Sequence, residues 1–298
     1  MATLRETKER IASVKNTLKI TSAMKLVASA KLHKAQRAIE TLRPYQEALS
    51  EILSELCSPI VVDTNAEVKG SQPTTGTAVA LRPSSEAAPR GRVALVCISS
   101  NTSLCGGFNA NIIRKTQAIL NRLDTKPDIY AIGRKITDAL RRGGYPIERD
   151  YSDFLQECSY ERLSEFAHHL YELHQSGVLE RVYLIYTSYV SMSKQEIRVE
   201  QFLPYTSQTE EKQEEDIYIV EPSQESLVAQ LRPQVLSLRM YAAVLDSLAA
   251  EHAARTVAMQ TATDNAENLL SELTLEYNKC RQQKITAEIL DLAGGNVQ

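Results

Sequence analysis

The chain has 298 residues, of which 43% are hydrophobic and 24% are charged, and its formal net charge is −3. These values are ordinary for a soluble protein with a sizeable core, and they exclude a global electrostatic attraction to nucleic acid or to an anionic membrane. The five cysteines are scattered and form no CxxC pair, which argues against a disulfide framework or a zinc site and favours a reducing compartment. The N-terminus is charged and no apolar run approaches the roughly 20 residues of a membrane span, so we expect neither a signal peptide nor direct membrane insertion.

The N-terminal segment has the pattern of a long helix. Its first 43 residues contain no glycine or proline, and apolar residues recur at alternating steps of three and four, which predicts a coiled-coil seam. Thr7, Thr21 and Lys25 interrupt the seam, so we expect loose packing there or the approach of something other than a helix. Pro44 is expected to limit or kink the helix, and the N-terminal coiled-coil segment is assigned to residues 1–57. The seam consists of Leu4, Ile11, Val14, Leu18, Ala28, Leu32, Ala35, Ile39 and Leu42.

The middle of the chain has a different pattern. Residues 58–90 are rich in Pro, Ser, Thr, Gly and Ala without periodicity, and we interpret them as a flexible insert. Residues 91–221 alternate predicted strands and helices, which indicates a small, mainly parallel α/β sheet domain. Strands are predicted at 92–98, 128–132, 181–189, 195–203 and 217–220, the last two pairing across the acidic stretch 206–216, and helices near 108–122, 133–142 and 159–176.

The C-terminal segment, residues 222–298, predicts a second long coiled-coil helix. Apolar residues keep the three-four spacing from Val228 to Ala249 and again from Met259 to Cys280, and Ala262 belongs to this seam. Pro222 or Pro233 is expected in the first turn, and Gly294 and Gly295 at the end. Residues 1–45 carry a net charge of +7 and residues 223–292 a net charge of −3, so opposite charge favours pairing of the two helices while the apolar seams supply most of the stability.

No catalytic, cofactor or metal site is predicted. Gly106 and Gly107 could form a phosphate cradle, but they match neither nucleotide-binding motif, and a tight strand-to-helix turn is the better interpretation. His168, His169 and His174 lack the spacing of a metal pair on one helix face. Cys105 has no evident neighbouring base, so a nucleophile is not indicated.

Four motifs carry a family resemblance. They are RIASVKNTLKITSAMKLVA from Arg10 to Ala28, SSNTSLCGGFN from Ser99 to Asn109, RTVAMQTATDNA from Arg255 to Ala266, and NKCRQQKITAEI from Asn278 to Ile289. Together they resemble the gamma subunit of bacterial F1Fo ATP synthase, and the likeness runs end to end apart from residues 58–90. The chain departs from the family's usual Asp-Arg-Gly at Asn101-Thr102-Ser103.

The resemblance implies a fold and a function. The terminal helices would form a long antiparallel coiled coil, with a small Rossmann-like sheet domain between them. The chain would be the non-catalytic rotor shaft of a proton-translocating ATP synthase, present once per complex on the cytoplasmic face of the bacterial inner membrane. Its partners would be a hexamer of alpha and beta subunits, the epsilon subunit and the membrane c-ring, with no nucleic acid.

By motif match, seven residues are expected to contact other subunits. Met24 and Lys25 would face the acidic loops of the beta subunits. The upper contacts with the hexamer would include Arg255, Arg281, Gln282, Thr286 and Glu288.

Two other classes remain open on the sequence alone. A coiled-coil scaffold that carries an α/β domain would self-associate through its heptads, although the opposite charges of the two helices favour pairing within one chain. A nucleotide-binding α/β enzyme would require a phosphate motif or a catalytic set of residues, and neither is visible.

Overall fold

The computed structural model describes residues 4–57, 91–123, 125–205, 220–221 and 223–295. The predicted insert at 58–90, the acidic stretch 206–216 and all but the last residue of the strand predicted at 217–220 therefore lie outside the described residues. Pro222 lies outside them as well.

Two long helices form the body of the molecule. Helix α1 runs from Leu4 to Cys57 and helix α5 from Gln224 to Gly295. At about 1.5 Å per residue they measure roughly 80 Å and 110 Å. Pro44 lies inside α1, so the expectation that it limits the helix is wrong. Pro233 lies well inside α5 and not in its first turn.

The two helices run antiparallel and share a seam. Ala28 and Leu32 of α1 are buried, and Leu32 packs on Ala249 and Ala253 of α5. Nearer the start of α1 the contacts become polar, since Thr263 Oγ1 donates a hydrogen bond to Thr21 Oγ1 at 3.0 Å.

The polar positions of the seam face the same partner helix as the apolar ones. Lys25 Nζ donates to Gln260 Oε1 of α5 at 2.8 Å, and Thr7 is 1% exposed. Thr21 and Lys25 therefore each form a hydrogen bond with a polar group on α5. Ala262 is only half-buried, and the buried position of this turn is Thr263.

A five-stranded sheet lies between the two helices in the chain. Its order is β3-β2-β1-β4-β5, with β1, β2, β3 and β4 parallel and β5 antiparallel to β4. Among the described residues β5 pairs with β4, and the predicted pairing of residues 195–203 with 217–220 concerns a strand that lies almost entirely outside them. The strands are Arg92–Ile98, Asp128–Ile132, Arg149–Asp150, Leu179–Tyr189 and Gln195–Leu203.

Helices cover both faces of the sheet. Helices α2 (Phe108–Leu120) and α3 (Arg134–Arg142) pack on one face through Ile112, Ile119, Ile136 and Leu140. Helix α4 (Tyr160–Gln175) and the first half of α5 cover the other face. Because α5 belongs both to this core and to the pair with α1, the hairpin and the sheet domain are continuous.

Candidate functional site

The far end of α5 projects beyond α1. Counting both helices outward from the contact of Thr21 with Thr263 sets Leu4 beside about residue 280 of α5. Helix α5 continues to Gly295, roughly 20 Å further. The described part of the chain supplies no second helix along this end, and residues 281–290 are all exposed.

Four of the predicted contact residues lie on this projecting end. Arg281, Gln282, Thr286 and Glu288 are all exposed. Thr286 Oγ1 donates to the Gln282 carbonyl at 2.9 Å, and Glu288 lies 3.8 Å from Lys284 Nζ, which is an exposed pair of little energetic weight. The polar groups are therefore free to contact another protein.

Large apolar side chains are exposed on the same turns. Ile285 is 47% exposed, Ile289 59% and Leu290 65%. A single helix with apolar groups on its surface gains stability when a partner covers them. The end of α5 thus combines hydrogen-bonding and apolar groups suited to contact.

Met24 and Lys25 lie on a second surface, partway along the hairpin. Both are half-buried, and their neighbours Leu26 and Val27 are 68% and 57% exposed. Because Lys25 already donates to Gln260, the outer surface of this turn is formed mainly by the apolar pair.

Arg255 lies at a third place, the junction of α5 with the sheet domain. Its Nη1 donates to Glu251 Oε1 at 2.7 Å, and its Nη2 donates to Thr102 Oγ1 at 2.7 Å and to the Ser103 carbonyl at 3.3 Å. The side chain is only 11% exposed. It is also separated from Arg281 by about 39 Å of helix, so the structure does not bring Arg255 together with the other four upper residues.

Buried charge marks this junction. Burial raises the pKa of Glu251, although Arg255 and Lys31 act in the opposite direction. Burial, together with the positive charges of Arg255 and Lys31, lowers the pKa of His252 to about 4. The junction therefore holds a neutral histidine beside a carboxyl–guanidinium pair, which is a structural arrangement and not a reactive one.

The glycine turn after β1 is a packed corner. Gly106 has a φ of +57°, a conformation that favours glycine, and Phe108 and Cys105 are buried against Ala250 and Ala254 of α5. The Ser100 N–H donates to Asn109 Oδ1 at 3.2 Å, and the Phe108 N–H donates to the Cys105 carbonyl at 3.3 Å. These contacts fit the tight-turn interpretation.

The described residues contain no arrangement suited to metal or nucleophilic chemistry. No group of three or more His, Cys, Asp or Glu side chains among them could hold a metal ion. His168 and His169 are exposed, while His174 Nδ1 lies 2.9 Å from the Leu179 carbonyl. Burial raises the pKa of Cys97 to about 12 and that of Cys158 to about 11, which disfavours the reactive thiolate.

Fold and surfaces together define a class of protein. A helical hairpin about 80 Å long, rooted in a small α/β domain and ending in a single exposed helix, acts through contact surfaces along a lever. Within the described residues, no helix combines the length and the apolar composition needed to cross a bilayer.

Known proteins of the same class match this chain along its whole length. The family model described as ATP synthase matches residues 3–297. The ATP synthase gamma chain of Bacteroides thetaiotaomicron is 44% identical over 315 residues, covering 100% of both chains. That of Flavobacterium johnsoniae is 39% identical over 300 residues, covering 99% of this chain and 98% of the relative. The chain belongs to the ATP synthase gamma-chain family.

Solved structures share the fold. The rotor of Euglena gracilis mitochondrial ATP synthase in rotational state 1 is similar with a TM-score of 0.59 and 18% identity, over 95% of this chain and 98% of the other. A chain of the same organism's OSCP/F1/c-ring structure in rotational state 3 is similar with a TM-score of 0.61 and 19% identity, over 98% of this chain and 93% of the other.

Sequence reasoning missed three residues of the junction. Thr102 and Ser103 were noted only as departures from the family pattern, yet they accept hydrogen bonds from Arg255. Glu251 was not predicted as the ion-pair partner of Arg255. Its spacing of four from Arg255 on one helix was the available signal.

Proposed function

We propose that this chain is the rotating central shaft of an ATP synthase, with no active site of its own. The observation that carries the proposal is the helical hairpin whose longer helix extends past its partner, rooted in an α/β domain. The family membership supports the same role, because the curated relatives are gamma chains of ATP synthase.

The mechanism follows from asymmetry. Three chemically identical catalytic sites are driven through different states only when something touches each of them differently, because a partner shifts an equilibrium only by its differential interaction. Moving one site from a ratio of 1:99 to 99:1 requires about 5.5 kcal/mol of differential contact energy. The net charges of +7 and −3 on the two helices give the shaft a surface that differs from side to side.

The contact roles divide along the shaft. We assign Arg281, Gln282, Thr286 and Glu288 to contacts with the upper part of an alpha–beta hexamer, and Met24 with Lys25 to contacts partway down. Arg255 receives an internal role instead, because its guanidinium is engaged by Glu251 and by the loop after β1.

The remaining assignments belong to the same proposal. Residues 1–57 and 222–298 are assigned to the shaft and residues 91–221 to the foot, and no role is assigned to residues 58–90. The foot contacts the epsilon subunit and the membrane c-ring of a proton-translocating complex. The chain occurs once per complex, peripheral to the cytoplasmic face of the inner membrane.

Co-purification tests the proposal. The chain is expressed with the alpha and beta subunits of the same organism, and ATPase activity is assayed with and without it. One chain per hexamer together with steady ATP turnover is the expected result. A soluble homodimer that binds neither the alpha nor the beta subunit would favour the scaffold interpretation. Binding of ATP by the isolated chain, measured by isothermal titration calorimetry, would favour the enzyme interpretation.

A further inference from the structure

Basic residues are concentrated in one segment of the α/β domain. Residues 108–142 carry eight Lys and Arg against three Asp, a net charge of +5, although the whole chain has a net charge of −3. This segment contains both helices that cover one face of the sheet, α2 and α3. Its charge is therefore presented on one side of the domain.

Six of the eight basic residues lie on these two helices, and Arg122 and Lys126 lie in the loop that follows α2. Ile112, Ile119, Ile136 and Leu140 point into the core, on the side of the sheet opposite α4 and α5. We call the outward surface the basic face. Its exposed members are Arg114, Lys115, Arg122, Lys126, Arg134, Arg141 and Arg142, and Lys135 is half-buried.

Few of the basic side chains on this face have a carboxylate nearby among the described residues. Arg141 Nη2 lies 3.7 Å from Asp150 Oδ2, a loose and partly exposed pair. None of the other members has a carboxylate oxygen within 4.0 Å among the residues that the structure describes. The basic face thus keeps most of its charge toward solvent.

Helix stability explains only part of this pattern. Arg141 and Arg142 lie in the last turn of α3, where the helix dipole favours cations. Arg134 and Lys135 lie in the first turn of the same helix, where the dipole disfavours them and no acidic residue is present. The positive charge at the start of α3 therefore requires another reason.

We propose that the basic face docks an acidic protein segment. Five of its eight members are Arg, the residue that pairs with carboxylates through two parallel hydrogen bonds and is enriched at protein interfaces. The proposal is independent of the rotor role, because it concerns a surface on the opposite side of the sheet from the helical hairpin.

Two other anionic partners fit less well. A membrane-binding surface combines basic residues with exposed large apolar ones, and none of the exposed large hydrophobic residues in the described chain falls within 108–142. A single-stranded nucleic acid requires aromatic platforms for its bases, and the tyrosine of this segment, Tyr130, is buried.

The test measures binding of a fluorescein-labelled decaglutamate peptide to the full chain by fluorescence anisotropy at low salt. The face variant is R114Q/R122Q/R134Q/R142Q, and the matched control is K8Q/R10Q/K15Q/K19Q on the exposed surface of α1. Glutamine preserves helix propensity, and thermal unfolding followed by circular dichroism checks that both variants remain folded. The two pairs R114Q/R122Q and R134Q/R142Q serve if the fourfold variant does not fold.

The proposal predicts that the face variant weakens peptide binding by about tenfold or more and the control by less than about threefold. Equal losses in the two variants, or no binding by the wild-type chain, would overturn it. The proposal would also be overturned if the face variant lost more affinity for phosphatidylglycerol vesicles or for an oligodeoxythymidine probe than for the peptide. A last variant changes the acidic residues of the chain's own stretch to Gln, namely Glu210, Glu211, Glu214, Glu215 and Asp216. If its affinity for the peptide rises by more than about tenfold, the basic face is occupied by this stretch, and that result would also overturn the proposal.

Discussion

Arg255 carries a positive charge into a junction where little water reaches it. A buried ion loses its hydration, and only partners with good geometry replace it. Glu251 supplies the opposite charge, while Thr102 and the Ser103 carbonyl accept the remaining hydrogen bonds. One side chain therefore joins α5 to the loop after β1, so that the sheet domain and the shaft resist rotation against each other.

The first prediction removes this guanidinium. Arg255→Gln leaves Glu251 buried without its charge partner, and the free energy of unfolding is expected to fall by about 3 kcal/mol. Urea denaturation measures the change. The control is Arg5→Gln, which breaks an exposed pair with Glu9 and should cost less than about 0.5 kcal/mol. Equal losses in the two variants would remove Arg255 from its structural role.

The second prediction concerns His252, whose pKa is lowered to about 4 mainly by burial. Between about pH 6.5 and about pH 4 the unfolded chain binds a proton that the native state refuses, so the free energy of unfolding falls as the pH falls, by up to about 3 kcal/mol. His252→Gln should lack this part of the pH dependence. Denaturant unfolding across that pH range measures it.

Two features isolate the histidine in that experiment. Glu251, whose raised pKa changes stability in the opposite sense, is present in both proteins, so the difference between the two curves belongs to His252. His168→Gln, the same substitution at an exposed position, provides the control for the substitution itself. Parallel curves for wild type and His252→Gln would contradict the pKa assignment.

The burial of helix α5 changes along its length. Helix α5 packs against α1 along most of its length, but between residues 235 and 254 it also covers the sheet and is buried on several sides. Beyond residue 273 it is mostly exposed. One helix thus serves as core element, coiled-coil strand and free end in turn.

The third prediction tests the seam. Leu32 is 2% exposed and packs on Ala249 and Ala253, so Leu32→Ala should lower the free energy of unfolding by about 3 kcal/mol. Leu26→Ala removes a side chain of the same size that is 68% exposed, and it should cost less than about 0.5 kcal/mol. Chemical denaturation compares the two. A reversed order would mean that α1 pairs in another register.

Periodicity predicted the elements well because it reports burial. The three-four spacing identified both shaft helices, and the continuous apolar run at Arg92–Ile98 identified the central strand. Pro44 was expected to limit or kink the first helix, yet α1 continues through it to Cys57, where the assigned segment also ends. The two-residue strand Arg149–Asp150 was missed, since it is too short and too exposed to show a pattern.

The candidate site was predictable only in part. The exposed position of Arg281 and Gln282 follows from the family motif and from the greater length of α5. The internal role of Arg255 does not, because it depends on a contact with Thr102 across more than 150 positions of sequence. The requirement for glycine at position 133 also could not be predicted from the sequence. At its φ of +116° an added Cβ would lie 2.6 Å from Ser99 Oγ, and this requirement is visible only in the fold.

Taken whole, the molecule is a lever with a foot at one end and a single exposed helix at the other. Because α1 and α5 are continuous helices with a shared seam, a torque applied to the α/β domain reaches the far end with little bending. The exposed apolar groups Ile285, Ile289 and Leu290 lie on the same turns as the residues that we propose to contact the hexamer.

In an assembled complex, Gln282→Ala should reduce the coupling of ATP hydrolysis to rotation or the yield of the complex, because it deletes a directed hydrogen-bonding group at the shaft end, while nucleotide binding by the catalytic subunits persists. Equilibrium binding of ATP and steady-state ATPase activity measure the two effects separately. Complete loss of ATP binding would show that the residue does more than make a contact. Gln117→Ala, a half-buried position in α2 away from the shaft, serves as control.

Rotation of single molecules tests the central claim most directly. The alpha–beta hexamer is fixed to a surface through its beta subunits, a bead is attached to an exposed position of the α/β domain such as Ser193→Cys, and ATP is added. The account predicts unidirectional rotation of the bead in three equal steps per turn. A hexamer that holds one copy of the chain and hydrolyses ATP while the bead stays still would contradict it.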